Sequence, residues 1–254
     1  MTQYPDGVFP LNNSNAKQSG LSKETWRKVI RAIEDSIPLY DQVNDKISFG
    51  KAQIARNYAI QKLEINKNSI VLDSGIGPGS TSRLIFSTIK PDMLVGLDGS
   101  VRQLNAAKSS LAPFSSGLSL VRGSFEYLPF KDGAFDVIIT CYALRDSLNL
   151  SQSLTEYSRV CSLNGAFADV DIGKPDNALK CWGSILYVRY VMPILAKAAI
   201  WTKMKGNPWR MIGPTYVSLP RTSTLLGLVK QHFFTAELKE YLMGGVIVII
   251  GRKS

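Results

Sequence analysis

From residue 69 onward, short apolar runs alternate with stretches long enough for a helix: Ile70 to Leu72, Leu94 to Leu97, Leu118 to Val121, Phe135 to Thr140 and Ala166 to Val170. That rhythm predicts a parallel sheet whose strands are joined by crossover helices, an α/β fold of the Rossmann-like kind. Between the last two runs, Leu148 to Val160 predicts a helix with Leu150, Leu154 and Val160 inward. Upstream, residues 1–20 form a loose arm, and a helix starts with Ser22 as its N-cap and Thr25, Val29, Ile30 and Ile33 on one side. A second helix follows Gly50 and turns Ile54, Tyr58 and Leu63 inward. The tail predicts a helix near Thr224 to Lys230. Two antiparallel strands follow, Phe233 to Leu242 and Val246 to Gly251, joined at Gly244-Gly245. Residues 177–221 break the rhythm, carrying Trp182, Trp201, Trp209 and a central Pro193. The chain thus divides into an arm and helical lid (1–65), a core (66–176), a helical insertion (177–221) and a C-terminal helix and strand pair (222–254), all within one domain.

Composition adds exclusions. With 45% hydrophobic and 20% charged residues, the 254-residue chain is neither disordered nor collagenous. Its three cysteines (Cys141, Cys161, Cys181) show no paired spacing and its only histidine is His232, so neither a disulfide framework nor a metal site is expected. Neither a signal peptide nor an apolar run of about eighteen residues is evident, which predicts a cytoplasmic protein without a membrane span. The formal charge is +10, and residues 177–221 contribute seven basic side chains and no acidic one. Residues 71–176, with nine basic and eleven acidic side chains, are slightly acidic.

The richest chemistry lies in Asp73-Ser74-Gly75-Ile76-Gly77-Pro78-Gly79, where a buried strand enters a glycine loop and then a helix. Such glycines let the backbone approach a ligand closely, and the helix N-terminus favours an anionic group. Ser80 stands where a dinucleotide fingerprint wants Gly or Ala. Asp73 inside the turn would repel a pyrophosphate but attract the amino group of an amino-acid moiety. The loop therefore favours S-adenosyl-L-methionine over NAD. Asp98, followed by Gly99 at the end of the second strand, suits a ribose diol, and Ser124 and Phe125 after the third suit an adenine edge.

Leu128-Pro129-Phe130-x-Asp132-Gly133-x-Phe135-Asp136 resembles the entry to the fourth strand of class I methyltransferases. Further motifs resemble the ubiquinone/menaquinone-biosynthesis C-methyltransferase family. These are Tyr40-Asp41-x-x-Asn44-Asp45-x-x-Ser48-Phe49-Gly50, Ala143-Leu144-Arg145-Asp146, Arg159-Val160 with Gly165, Asp171 and Lys174-Pro175, and Gly244-Gly245 before an apolar strand. The chain departs from that pattern at Ala52 and Ala55 (His and Trp in the family), Ser162 to Gly165 (Lys-Pro-Gly-Gly), Pro78 (often Thr) and Asp171 (Glu). The resemblance implies a seven-stranded class I methyltransferase sheet and cofactor contacts from Pro78, Asp98, Ser124, Phe125 and Cys141, with Tyr40 and Ser48 of the upstream signature beside them. It also implies methylation of a prenylated quinol, a small lipophilic acceptor.

Carbon methylation of a quinol needs an ionised phenol, whose ordinary pKa is about 10, so a cation or a base must act on it. Arg145, at the lip of the crevice after the fourth strand, is the candidate for holding the phenolate, and Asp146, Tyr142, Tyr40 and Asp41 for accepting the proton or positioning the acceptor. The competing role for Arg145 is a salt bridge to Asp146 or Asp41 that fixes a lid. His232 is expected to be a packing residue and Cys141 a small buried one. A basic protein also suggests nucleic acid, but the sequence motifs of base-methylating enzymes are missing, so no nucleic acid is expected. The mixed apolar and basic insertion suggests an anionic membrane surface at the inner face of a membrane, with a stripe lining the acceptor channel. Methylation of another small hydrophobic acceptor at carbon or oxygen, a non-catalytic cofactor-binding module, an RNA-associated protein and a homodimer all stay open at this point.

Overall fold

The computed structural model describes residues 23–200 and 206–254. The arm over residues 1–20, the Ser22 cap, Trp201, Lys203, Lys205 and the Thr25 side chain lie outside what it describes. Seven strands form one sheet: β1 (Ile70–Ser74), β2 (Met93–Asp98), β3 (Leu118–Arg122), β4 (Phe135–Cys141), β5 (Cys161–Ile172), β6 (Thr235–Tyr241) and β7 (Val246–Arg252). Their order is β3-β2-β1-β4-β5-β7-β6, parallel except where β7 pairs antiparallel with both β5 and β6. The five predicted parallel runs and the predicted terminal pair are all present. Parallel strands are covered on both faces, so they are apolar almost throughout and stand out in sequence.

Ten α-helices occur among the described residues: α1 (Lys23–Ser36), α2 (Tyr40–Ile47), α3 (Lys51–Lys62), α4 (Ser80–Thr88), α5 (Val101–Ser110), α6 (Leu150–Val160), α7 (Ala178–Leu186), α8 (Met192–Ile200), α9 (Ile212–Ser218) and α10 (Thr222–His232). One sheet face packs α3 and α4 against residues such as Val71 and Ile139, and the other packs α6 and α10 against Ile138 and Phe167. In α6, Leu150, Leu154 and Val160 are buried as predicted, and the Asn149 side chain caps the helix by accepting from the Gln152 N–H.

Two readings change. The inward face of α3 is Ala52, Ala55, Arg56, Ala59 and Ile60, continuing to Leu63, whereas Ile54 is exposed. Tyr58 is half-buried against the core as expected, and small alanines carry too little hydrophobic signal to outweigh Ile54. In the insertion, α7 continues through a π-turn (Tyr187–Val191) into α8, making one 23-residue helix, Ala178–Ile200, that is long and apolar enough to cross a membrane. A count of uninterrupted apolar residues misses it because Lys180, Arg189 and Lys197 punctuate the helix. Pro193 has no N–H to donate, and the π-turn just before it absorbs the changed register. Cys181, Val188, Met192, Ala196 and Ile200 face inward, and the last four form a third core with Val43, Ile47, Trp209 and Tyr216. The lid helix α2 and the insertion thus close over the carboxyl ends of the strands, where open α/β sheets bind their ligands.

Candidate active site

The loop after β1 adopts left-handed backbone at Gly75 (φ 79°), Gly77 (φ 55°) and Gly79 (φ 90°). A Cβ on Gly75 would lie 2.3 Å from the Ala143 Cβ. The Gly75 and Ile76 N–H groups donate to the Leu97 carbonyl at 2.8 and 3.0 Å, tying the loop to β2. The Gly77 N–H donates to Asp98 Oδ2 (3.0 Å) and the Ser100 N–H to Oδ1 (2.9 Å). Those two bonds aim the carboxylate and leave each oxygen a lone pair for a diol. Burial raises the Asp98 carboxyl above its ordinary value, against the pull of these N–H groups.

Asp73 is 1% exposed, and Ser82 Oγ donates to its Oδ2 at 2.6 Å. Burial pushes its carboxyl up to about 6, opposed by Ser82 and by the nearby Arg56 guanidinium. A backbone cradle that a Cβ would fill, a strand-end acceptor with free lone pairs and a buried acid beside the loop together fit the sugar and amino-acid portions of S-adenosyl-L-methionine. The Asp73 carboxyl gives the site a pH signature. An ammonium is attracted only by the ionised form, so S-adenosylhomocysteine affinity is expected to rise as pH increases from 5 to 7, by up to about tenfold for a single group titrating near 6. Calorimetry across that range checks it; a flat profile contradicts the pairing.

The other cofactor-side candidates are placed as follows. The Pro78 carbonyl accepts from Ser110 Oγ, and the Gly99 carbonyl from Arg122 Nε at 3.3 Å. Ser124 Oγ donates to Glu126 Oε2 (2.7 Å), which leaves its own lone pairs available, and the Phe125 ring lies against the space above Gly75. Cys141 is buried, and burial pushes its thiol up to about 12, so it is a neutral packing residue. Ser48 Oγ accepts from the Ala52 N–H (3.0 Å), bracing the corner between α2 and α3. Asp41 faces α4 instead of the acceptor side: it accepts from Ser80 Oγ and lies 3.9 Å from Arg83.

Above the strand ends, a cavity of about 750 Å³ runs between α1, α2, the long α7–α8 helix and the turn before β7. Its walls are mostly apolar, including Val188, Met192 and Trp209, and its polar end holds Tyr40, Tyr142, Arg145 and Asp146. Arg145 is paired with Asp146, as one of the two expected bridges has it, and more closely with Asp171: its Nη1 donates to Asp171 Oδ1 at 2.8 Å, and its backbone N–H donates to Oδ2 at 3.1 Å. Asp146 Oδ1 lies 3.8 Å from Arg145 Nε. At that distance neither atom has a hydrogen-bond partner among the described residues. Burial pushes the Asp146 carboxyl up to about 6, with Arg145 opposing, whereas Asp146 and Asp171 hold the Arg145 charge against burial. Burial raises both the Tyr40 phenol, to about 12, and the Tyr142 phenol. Both are therefore neutral donors at physiological pH, which suits the positioning role expected for them better than the proton-accepting one. His232 ends α10, away from the cavity.

Sequence reasoning missed Arg56, the one charged side chain on the buried face of α3, and Asp169, whose two carboxylate oxygens are buried without a partner. It also missed that Asn44 Oδ1 accepts from Trp209 Nε1 at 2.9 Å and so ties the lid to the insertion. A lone cation among small inward alanines was the available signal for Arg56.

The strand order with its reversed last strand, the glycine cradle and the acid ending β2 define an S-adenosylmethionine-dependent methyltransferase of class I fold. A structure with which the chain superposes, that of a SAM-dependent methyltransferase from Aquifex aeolicus, shares the fold: TM-score 0.53, 11% identity, 78% of this chain and 89% of that one. The model of the ubiE/COQ5 methyltransferase family matches residues 20–253, and the chain belongs to that family. It is 27% identical to the ubiquinone/menaquinone biosynthesis C-methyltransferase UbiE of Syntrophotalea carbinolica over 86% of this chain and 91% of the relative. To the demethylmenaquinone methyltransferase of Desulfitobacterium hafniense it is 28% identical, over 84% and 85%.

Proposed function

We propose that the protein methylates a ring carbon of a prenylated quinol. The observation that carries this reading is the cavity of about 750 Å³, mostly apolar in its walls with Arg145 and Asp146 among its lining, which suits a hydrophobic tail and a phenolic head. The names of the two curated relatives point the same way. When bound, S-adenosylmethionine supplies an electrophilic methyl group. The chain's residues make the acceptor nucleophilic and hold it in line. Arg145, fixed at two points by Asp171, presents a buried positive charge to the quinol oxygen and stabilises it as phenolate. Asp146 Oδ1 takes the hydroxyl proton, and its raised carboxyl narrows the gap to the phenol; once the new carbon–carbon bond forms, the hydrogen on that ring carbon leaves as a proton and the aromatic quinol is restored. Tyr40 donates to oxygen. The apolar walls keep water from the methyl group. Only the reduced ring is electron-rich at carbon, so methylation is expected to require the quinol. A quinone left oxidised and methylated equally fast would contradict the reading.

The cavity lies beside the long helix, on which Arg189, Tyr190, Val191, Ile194 and Lys197 are exposed away from its lining; Leu179, Lys180 and Trp182 are exposed and also border the cavity, and buried Val188 and Met192 line it. This supports peripheral docking at the inner face of an anionic membrane, from which the quinol enters. Each basic residue near such a surface contributes about 1 kcal/mol. In flotation assays the protein is expected to bind vesicles containing anionic phospholipid and to release with salt; equal binding to zwitterionic vesicles contradicts the electrostatic part.

A further inference from the structure

Arg56 sits on the buried face of α3 with 6% of its surface exposed. Ala52, Ala55 and Ala59 around it leave room for the guanidinium, and none of the ion pairs among the described residues includes it. Its one hydrogen bond runs from Nη1 to Gln53 Oε1 (2.9 Å), and its Nε has no partner. The guanidinium carbon lies 5.9 Å from the centroid of the Tyr142 ring, and the Tyr142 hydroxyl is likewise buried without a partner. Tyr142 is held in left-handed backbone (φ 58°), with its N–H donating to the Val170 carbonyl at 2.6 Å. A residue kept in that conformation signals that the surrounding fold dictates its position. Next along the chain is Ala143, which borders the cradle over Gly75.

Two unfilled donors, one cationic, are therefore buried together beside the glycine loop. A buried guanidinium with acids nearby but none in contact is unfavourable, so the arrangement is one that an anion completes. The quinol oxygen is already served by Arg145. S-adenosylmethionine carries a single anionic group, its α-carboxylate, and Asp73 lies near enough to Arg56 to take the adjoining ammonium. We propose that Arg56 and Tyr142 form the receptor for the cofactor's α-carboxylate, opposite Asp73. This rests on the chain binding S-adenosylmethionine.

The test is calorimetry on the full chain with two ligands: S-adenosylhomocysteine and its decarboxylated form, which keeps the ammonium. The wild type is expected to prefer the carboxylate-bearing ligand by on the order of 10- to 100-fold, the worth of hydrogen bonds to a buried charge. Arg56→Met, which keeps the buried volume, is expected to remove that preference while changing affinity for the decarboxylated ligand by less than about threefold. Tyr142→Phe is expected to weaken S-adenosylhomocysteine alone, by about fivefold, the worth of one hydrogen bond. Equal wild-type affinity for both ligands overturns the assignment, as does a parallel loss of both in Arg56→Met, which would mark a packing role. The wild-type comparison stands even where Arg56→Met does not fold. Failure of the wild type to bind either ligand would instead remove the cofactor reading on which the assignment rests.

Discussion

Arg145→Met is expected to slow methyl transfer by about 10²- to 10³-fold, the usual cost of removing a preorganised donor from a developing oxyanion, while S-adenosylhomocysteine still binds. The side chain is 9% exposed and stands between Asp146 and Asp171. Its removal leaves two acids facing each other in a buried site, so the variant is also expected to lose roughly 3–5 kcal/mol of stability. Asp146, whose carboxyl burial pushes up to about 6, escapes part of the cost by protonation, so the loss is smaller at pH 5 than at pH 8. Arg145→Lys, which keeps charge but not the fork on Asp171, is expected to fall between wild type and Met in rate. Steady-state kinetics and thermal melts at the two pH values check both parts. A folded Arg145→Met enzyme with normal turnover would confine Arg145 to holding the lid.

Gly75→Ala is expected to abolish cofactor binding with little change to the rest of the fold. Its added Cβ would meet the Ala143 Cβ at 2.3 Å and the Phe125 ring at 3.3 Å, and its φ of 79° is unfavourable for any side chain. The left-handed conformation alone costs roughly 1–2 kcal/mol, and relief of the clash must move the β4 end or the Phe125 ring, both of which border the cradle. An affinity loss of at least about 100-fold is expected, taking strain and lost contacts together at 1.4 kcal/mol per tenfold. Gly77→Ala tests the logic at a roomier position: a Cβ there meets nothing closer than 3.9 Å, so only backbone strain acts and the loss is smaller. Equal losses at the two positions would show that the cradle's depth is irrelevant.

The sheet was legible because parallel strands are apolar on both faces and the glycine loop follows the first of them directly. Asp73, Asp98 and Arg145 were legible because each stands at a strand's carboxyl end, where a short local pattern suffices to place it. What escaped depends on contacts distant in sequence. Asp171 holds Arg145 across 26 residues, and Trp209 meets Asn44 across 165, so neither pairing leaves a local trace. Arg56 was hidden for a different reason: its neighbours on the buried face of α3 are alanines, and the exposed Ile54 suggested the wrong side of the helix. For Tyr40 and Tyr142 the choice between accepting a proton and positioning the acceptor was not legible, because burial, which keeps both phenols protonated, cannot be read from residue type.

Methylation of a quinol at carbon in the cavity over Arg145 is checked by mass spectrometry of a reduced prenylated quinol incubated with the protein and methyl-labelled S-adenosylmethionine. Fragmentation is expected to place the label on a ring carbon, and Arg145→Met is expected to form little of that product. Label on a ring oxygen, or no labelled quinol from a protein that binds S-adenosylhomocysteine normally, would contradict it.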